Sequence, residues 1–139
     1  MANLTIDATK VRLVRGDAED LWTGPVGEAG TAGQYFRLNT TTGKLEKGNG
    51  TTTGEVGTIG GILLDSVPTI NLTGTIALRG SKAVLDLGEA VAALAFDASV
   101  FLSDTDATLA DTTGTVSTVL AKIVPGWNST TADKLVMMA

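Results

Sequence analysis

Apolar and polar residues alternate along much of this chain, and the alternation predicts strands. Leu4 and Ile6 stand two apart among polar neighbours, and Val11-Arg12-Leu13-Val14 follows as a strand-like run. Residues 15–34 are rich in glycine and read as a long turn region. Tyr35 to Leu38 forms a strand, "NTTTG" (39–43) a turn, and Lys44-Leu45-Glu46 the return. "GNGTTTGEVG" (48–57) reads as a loop, and "IGGILLD" (59–65) as a buried strand. The stretches 69–80 and 82–88 alternate again, with Gly80-Ser81 as a tight turn between them. Only "EAVAALAFDA" (89–98) has helical spacing, through Val91, Leu94 and Ala95, and it predicts a short helix over Glu89 to Phe96.

The hairpin phrase then returns. Val100-Phe101-Leu102 parallels Tyr35-Phe36, "SDTDAT" (103–108) parallels the first turn, and Leu109 parallels Leu45. "TVSTVLAKIV" (115–124) parallels the strand at 59–65, Pro125-Gly126 stops it, and "DKLVMMA" closes the chain as a last apolar strand. Two copies are too few for a solenoid and fit two hairpins at similar places in one domain. The expected fold is mainly β: a small β-barrel or β-sandwich with one short helix and an extended N-terminal arm. The arm covers residues 1–15 and the single β domain 16–139. The expected core is Phe36, Leu38, Leu45, Ile62, Leu64, Ile76, Leu78, Leu85, Leu87, Phe101, Leu109, Val119 and Ile123.

Composition narrows the chemistry. The 139 residues are 43% hydrophobic but only 4% aromatic, so the core rests on aliphatic side chains. Charged residues are 18%, below the roughly 25% of ordinary soluble domains. Threonine and glycine fill their place, which favours a half-buried β surface suited to protein contact. The net charge of −5 argues against nucleic-acid binding. No apolar run approaches the roughly 20 residues of a membrane span, and the N-terminus has no secretory leader pattern.

With neither histidine nor cysteine in the chain, His-based catalytic arrangements and the usual zinc ligands are unavailable. The carboxylates at 17–20 and 103–111 lie in turns, so no enzyme and no cofactor is expected. Asp104, Asp106 and Asp111 lack the full calcium-loop pattern. Asp-rich turns ordinarily satisfy their own backbone.

The ordered series "VRLVRGDAEDLWTGPVGEAGTAGQYFRLNTTTGKLEKG", "GILLDSV", "ALRGSKAVLDLG", "AFDASVFLSDTDATLADT" and "AKIVPGWNSTTADKLVMM" resembles the capsid decoration, or cement, proteins of tailed bacteriophages. The likeness runs from about residue 11 onward, and the order of the motifs carries it more than any one motif. It implies a structural protein on the outer surface of the mature head, assembled in the host cytoplasm. Its partner would be the major capsid protein, and it would commonly be a homotrimer with a terminal arm reaching across neighbouring subunits.

Taken with that resemblance, the residue pattern places an expected capsid or subunit interface at Leu4, Ile6, Lys10, Arg12, Arg15 and Trp22. Leu4 and Ile6 can face one side of an added strand. The three cations form the densest basic stretch of an acidic chain. The alternative reading of Leu4 and Ile6 is an ordinary edge strand of the domain. The alternative function is a carbohydrate-binding or adhesion module using Trp22 and Trp127, against which the small aromatic share counts.

Overall fold

The computed structural model describes residues 2–126 and 133–139; Trp127 lies outside them. Its strands are β1 (Arg12–Arg15), β2 (Leu21–Pro25), β3 (Tyr35–Leu38), β4 (Leu45–Lys47), β5 (Gly60–Leu63), β6 (Thr73–Leu78), β7 (Val84–Asp86), β8 (Ser99–Leu102), β9 (Leu109–Ala110), β10 (Val119–Pro125) and β11 (Lys134–Met138). The domain is mainly β, two antiparallel sheets around one apolar layer. The first sheet runs β1-β7-β11-β10-β8-β9 and the second β2-β6-β5-β3-β4.

The repeated phrase marks a deeper duplication than two hairpins. β2 to β6 are arranged as first-fifth-fourth-second-third, and β7 to β11 repeat that order with every neighbour antiparallel. Each strand of the second unit starts roughly 60 residues after its counterpart. The bonds that close the two hairpins match. Asn39 N–H donates to the Lys44 carbonyl at 2.9 Å, and Ser103 N–H donates to the Thr108 carbonyl at 2.9 Å. Gly43 takes φ 73° in the first turn, and Ala107 takes φ 56° at the equivalent place in the second. β1 is the addition that breaks the symmetry, pairing outside β7.

The main core joins the two units. Tyr35, Ile62 and Ala77 of the second sheet meet Leu85, Val100, Leu102, Leu120, Ile123 and Val136 of the first. A smaller core of Val26, Phe36, Leu45, Leu63, Val67 and Ile76 lies on the other face of the second sheet. The loops around Val26 and Val67 cover it, joined by paired bonds between Gly30 and Val67 of 2.9 and 2.8 Å. The second sheet is therefore apolar on both faces, which explains why its central strand β5 reads as a nearly continuous apolar run.

Five expected core residues are only half-buried: Leu38, Leu64, Leu78, Phe101 and Val119. Phe101 alternates with the buried Val100 and Leu102 and so faces out of the first sheet. Val119 is its cross-strand partner, and the register shift after it turns Leu120 inward. Leu38 and Leu78 sit at the margin of the smaller core.

The helix also differs from expectation. Residues 88–91 form a 3-10 turn, because Leu87 at the N-cap offers no side-chain acceptor and Val91 is the turn's buried residue. The short α-helix is Thr53–Val56, inside the segment read as a loop. Thr52 caps it by accepting the Glu55 N–H at 3.2 Å.

Two glycines distinguish contact from conformation. A Cβ at Gly61 would collide with the Ala77 carbonyl of the adjacent strand, whereas at Gly43 nothing lies within 4 Å and only φ opposes a side chain. Gly61→Ala is expected to cost about 2–3 kcal/mol through forced strand separation, and Gly43→Ala about 1 kcal/mol through the left-handed backbone alone. Urea denaturation of both variants checks this order.

Candidate interaction surfaces

Residues 2–6 lie along the free side of β9. Asn3 bridges Ala110, Leu4 N–H donates to the Leu109 carbonyl at 2.8 Å, and Asp111 N–H donates to the Ala2 carbonyl at 3.1 Å. The Asn3 side chain fastens the segment. Its Oδ1 accepts from the fully buried Ser103 hydroxyl at 2.7 Å, and its Nδ2 donates to Thr105 Oγ1 at 3.1 Å. Leu4 and Ile6 are half-buried against the main core. They line a groove of about 140 Å³ with residues 31–34 and 107–109. Gly33, at φ 93°, leaves the room that Ile6 occupies.

The expected interface residues thus fall on separate surfaces. Leu4 and Ile6 are on this strap. Lys10 follows in a 3-10 turn and lines a second groove with Thr5, Asp7, Gly88 and Glu89. Asp7 is held below the usual carboxylate range by the Thr9 hydroxyl and then the Thr9 N–H. Arg12 and Arg15 belong to β1, inside the first sheet, where Arg12 Nε meets Asp86 Oδ2 at 3.2 Å. Trp22, 42% exposed, stands on the edge strand β2 of the second sheet. Its indole lies over Gly24, where a side chain would meet Nε1.

Around Trp22 the outer side of the second sheet is unusually apolar. Register puts Trp22, Ile76 and Leu78 on the same face as Phe36 and Leu38. Ile59, whose carbonyl accepts from Leu38 N–H at 2.8 Å, and Leu72, whose carbonyl accepts from Val26 N–H at 2.9 Å, continue that face and are 39% and 48% exposed.

The Asp-rich turn is engaged internally. Asp104 accepts from Thr115 N–H at 2.8 Å and from the Thr115 hydroxyl at 2.6 Å, which hold its carboxyl below the ordinary range. Asp106 accepts from Asn49 at 3.3 Å and Asp111 from Ala2 N–H at 3.1 Å. Among the described residues no three acidic side chains converge as a metal site.

Asn3 and Ser103 were not singled out in the sequence; one is an ordinary polar residue in a polar stretch, the other a serine in a turn. Their partnership spans 100 residues and leaves no local signal. Tyr35 is another. Its hydroxyl donates to the Val56 carbonyl at 2.5 Å, and burial raises its pKa against the opposing effect of Arg79 and Arg37.

No family model, curated protein or solved structure matches the chain.

Two outcomes follow from these contacts. Asn3→Ala removes one hydrogen bond to a buried hydroxyl and one to Thr105 and should cost about 1 kcal/mol, with faster amide exchange at Leu4 and Asp111 than elsewhere in the sheet. Because the folded-state pKa of Asp104 is depressed, its contribution is present above the ordinary carboxylate pKa and is lost as pH falls through the folded value. The difference in urea midpoint between the native chain and Asp104→Asn should therefore be greatest at neutral pH and vanish in acid.

Proposed function

We propose that this chain is a capsid decoration protein. It binds the outer surface of the mature phage head, against the major capsid protein, and stabilises the assembled lattice. The observation that carries the reading is the strap on β9. The domain presents a strand edge and an apolar groove that accept an extended segment with alternating Leu4 and Ile6. Here the chain's own residues fill that site, with main-chain bonds at 2.8 and 3.1 Å and one side-chain fastening. Strand addition of this kind needs no catalysis. Main-chain hydrogen bonds supply affinity, and the alternate side chains fix register.

The sequence likeness to cement proteins supports the same reading, as does the apolar outer side of the second sheet. Its exposed members are Trp22, Ile59 and Leu72, and large apolar side chains left exposed on one face suit contact with a partner. A ligand that binds only the assembled lattice shifts assembly by mass action, and many weak copies on one shell act together. A homotrimer is the proposed assembly unit, formed in solution or only on the head.

The strap is also what the test addresses. Leu4 and Ile6 pack on the core, so deleting residues 2–9 is expected to lower the melting temperature by several degrees while leaving a folded domain at 20 °C. At that temperature the truncated protein should no longer co-sediment with undecorated, expanded heads of the phage that encodes it, whereas the intact chain should. Full binding by the truncated chain would remove the strap from the mechanism. Failure of the intact chain to bind heads would refute the function. Binding of the intact chain to a glycan array, and not to heads, would favour the adhesion alternative.

A further inference from the structure

The outer face of the first sheet carries a chemical pattern that the strap does not use. Cross-strand register places Arg15, Val84, Met137, Lys122 and Ser99 side by side over five strands. One pleat along, Arg12 pairs with Asp86, and Leu135 pairs with Val124. These rows face away from the main core, which instead takes the intervening Leu85, Val136, Ile123 and Val100.

A β-bulge creates the pattern. Arg12 and Arg15 are three residues apart and would face opposite sides of a regular strand. The register shift between Leu13 and Arg15 adds a residue and returns Arg15 to the side of Arg12. Arg12 is engaged by Asp86. Among the described residues, Arg15 and Lys122 have no carboxylate within salt-bridge distance. Val84 and Met137 lie between them, and with Leu135, Val124 and Pro125 they form a groove of about 230 Å³. The strand residues of this face thus hold three cations and one carboxylate, in a chain of net charge −5.

We propose that this face binds an extended acidic segment of a different protein, with two carboxylates flanking an aliphatic side chain. Arg15 and Lys122 are three strand spacings apart, about 14 Å. An extended chain covers about 13 Å in four residues, and its residues i, i+2 and i+4 share one side. A segment of the form acid-x-aliphatic-x-acid laid across the strands therefore sets a carboxylate at each free cation and an aliphatic group over Val84 and Met137. No two carboxylates in this chain stand four residues apart, so a second copy does not supply such a segment. Two free cations are too few for nucleic acid, whose affinity comes from many neutralised phosphates. The identification of the partner as the major capsid protein rests on the function proposed above.

The test uses the full chain and undecorated, expanded heads. Arg15→Glu with Lys122→Glu is expected to weaken head binding at least tenfold and to abolish the salt dependence of the native chain between 50 and 300 mM. Arg15→Glu alone, at an exposed site, should weaken it at least threefold and covers the case in which the double variant is misfolded. Lys44→Glu, next to the turn between β3 and β4, changes net charge as Arg15→Glu does and should bind as the native chain does. Native-like binding by both Arg15 variants, or a loss in Lys44→Glu equal to that in Arg15→Glu, overturns the proposal and leaves the decoration function standing. Electron microscopy of decorated heads with this face turned to solvent overturns it likewise. Charge-dependent binding of the native chain to phosphatidylserine vesicles, absent in the Arg15 variants, would reassign the face to a membrane. If the native chain does not bind heads at all, the partner assignment falls together with the function.

Discussion

Tyr35, Ile62 and Ala77 press from one sheet onto Leu85, Leu102, Leu120 and Val136 of the other, and the rest of the molecule is arranged to keep that contact dry. Among the described residues the layer has a single large aromatic, Tyr35, whose hydroxyl donates to the carbonyl of Val56. Aliphatic side chains pack at high density only if the backbones approach closely. This is the reason for Gly60 and Gly61 in the central strand β5. Larger residues there would strike the Tyr35 hydroxyl and the Ala77 carbonyl. The smaller core behind the second sheet depends on the same closeness, since Gly74 faces Val26, Val67 and Leu63.

A sandwich of two open sheets leaves strand edges that would recruit other chains if left bare. The two units solve this differently at equivalent places. The free side of β4 is covered from within its own unit, where Gly27 N–H donates to the Leu45 carbonyl at 2.7 Å and Val26 bridges Leu45 in parallel. The equivalent side of β9 is covered by Ala2 to Leu4, which come from outside the second unit. The first cover is fixed by its continuity with β2. The second is held by a few bonds and by Asn3, and that difference makes residues 2–9 the segment proposed to engage a partner.

The β character, the hairpins at Tyr35 and Val100, and their repetition were legible because alternation and turn residues are local signals. The full five-strand duplication was not. The pairings of β2 with β6 and of β7 with β11 join segments about 50 residues apart and leave no trace in a short window. Phe101 was misread for a related reason. The phrase Val100-Phe101-Leu102 is apolar throughout, and only its partners on β10 decide which side faces the core. At the surfaces, the sequence marked Arg12 and Arg15 as basic neighbours, but their common side depends on a bulge. Lys122 is readable as outward between Ala121 and Ile123, yet its row with Arg15 exists only through β7 and β11.

The position of β1 and the strap in the first sheet sets an order of events during synthesis. Residues 2–4 and 12–15 are made well before the strands they pair with, β9 at Leu109 and Ala110 and β7. The unit from β2 to β6 can close in the meantime from its own strands. At roughly 5–20 residues per second on the ribosome, residues 2–15 wait several seconds for their partners. Over that interval Leu4, Ile6, Val11 and Leu13 lack the first-sheet partners they later pack against, and each new chain passes through a stage in which residues 2–15 are free to pair with whatever edge is nearest.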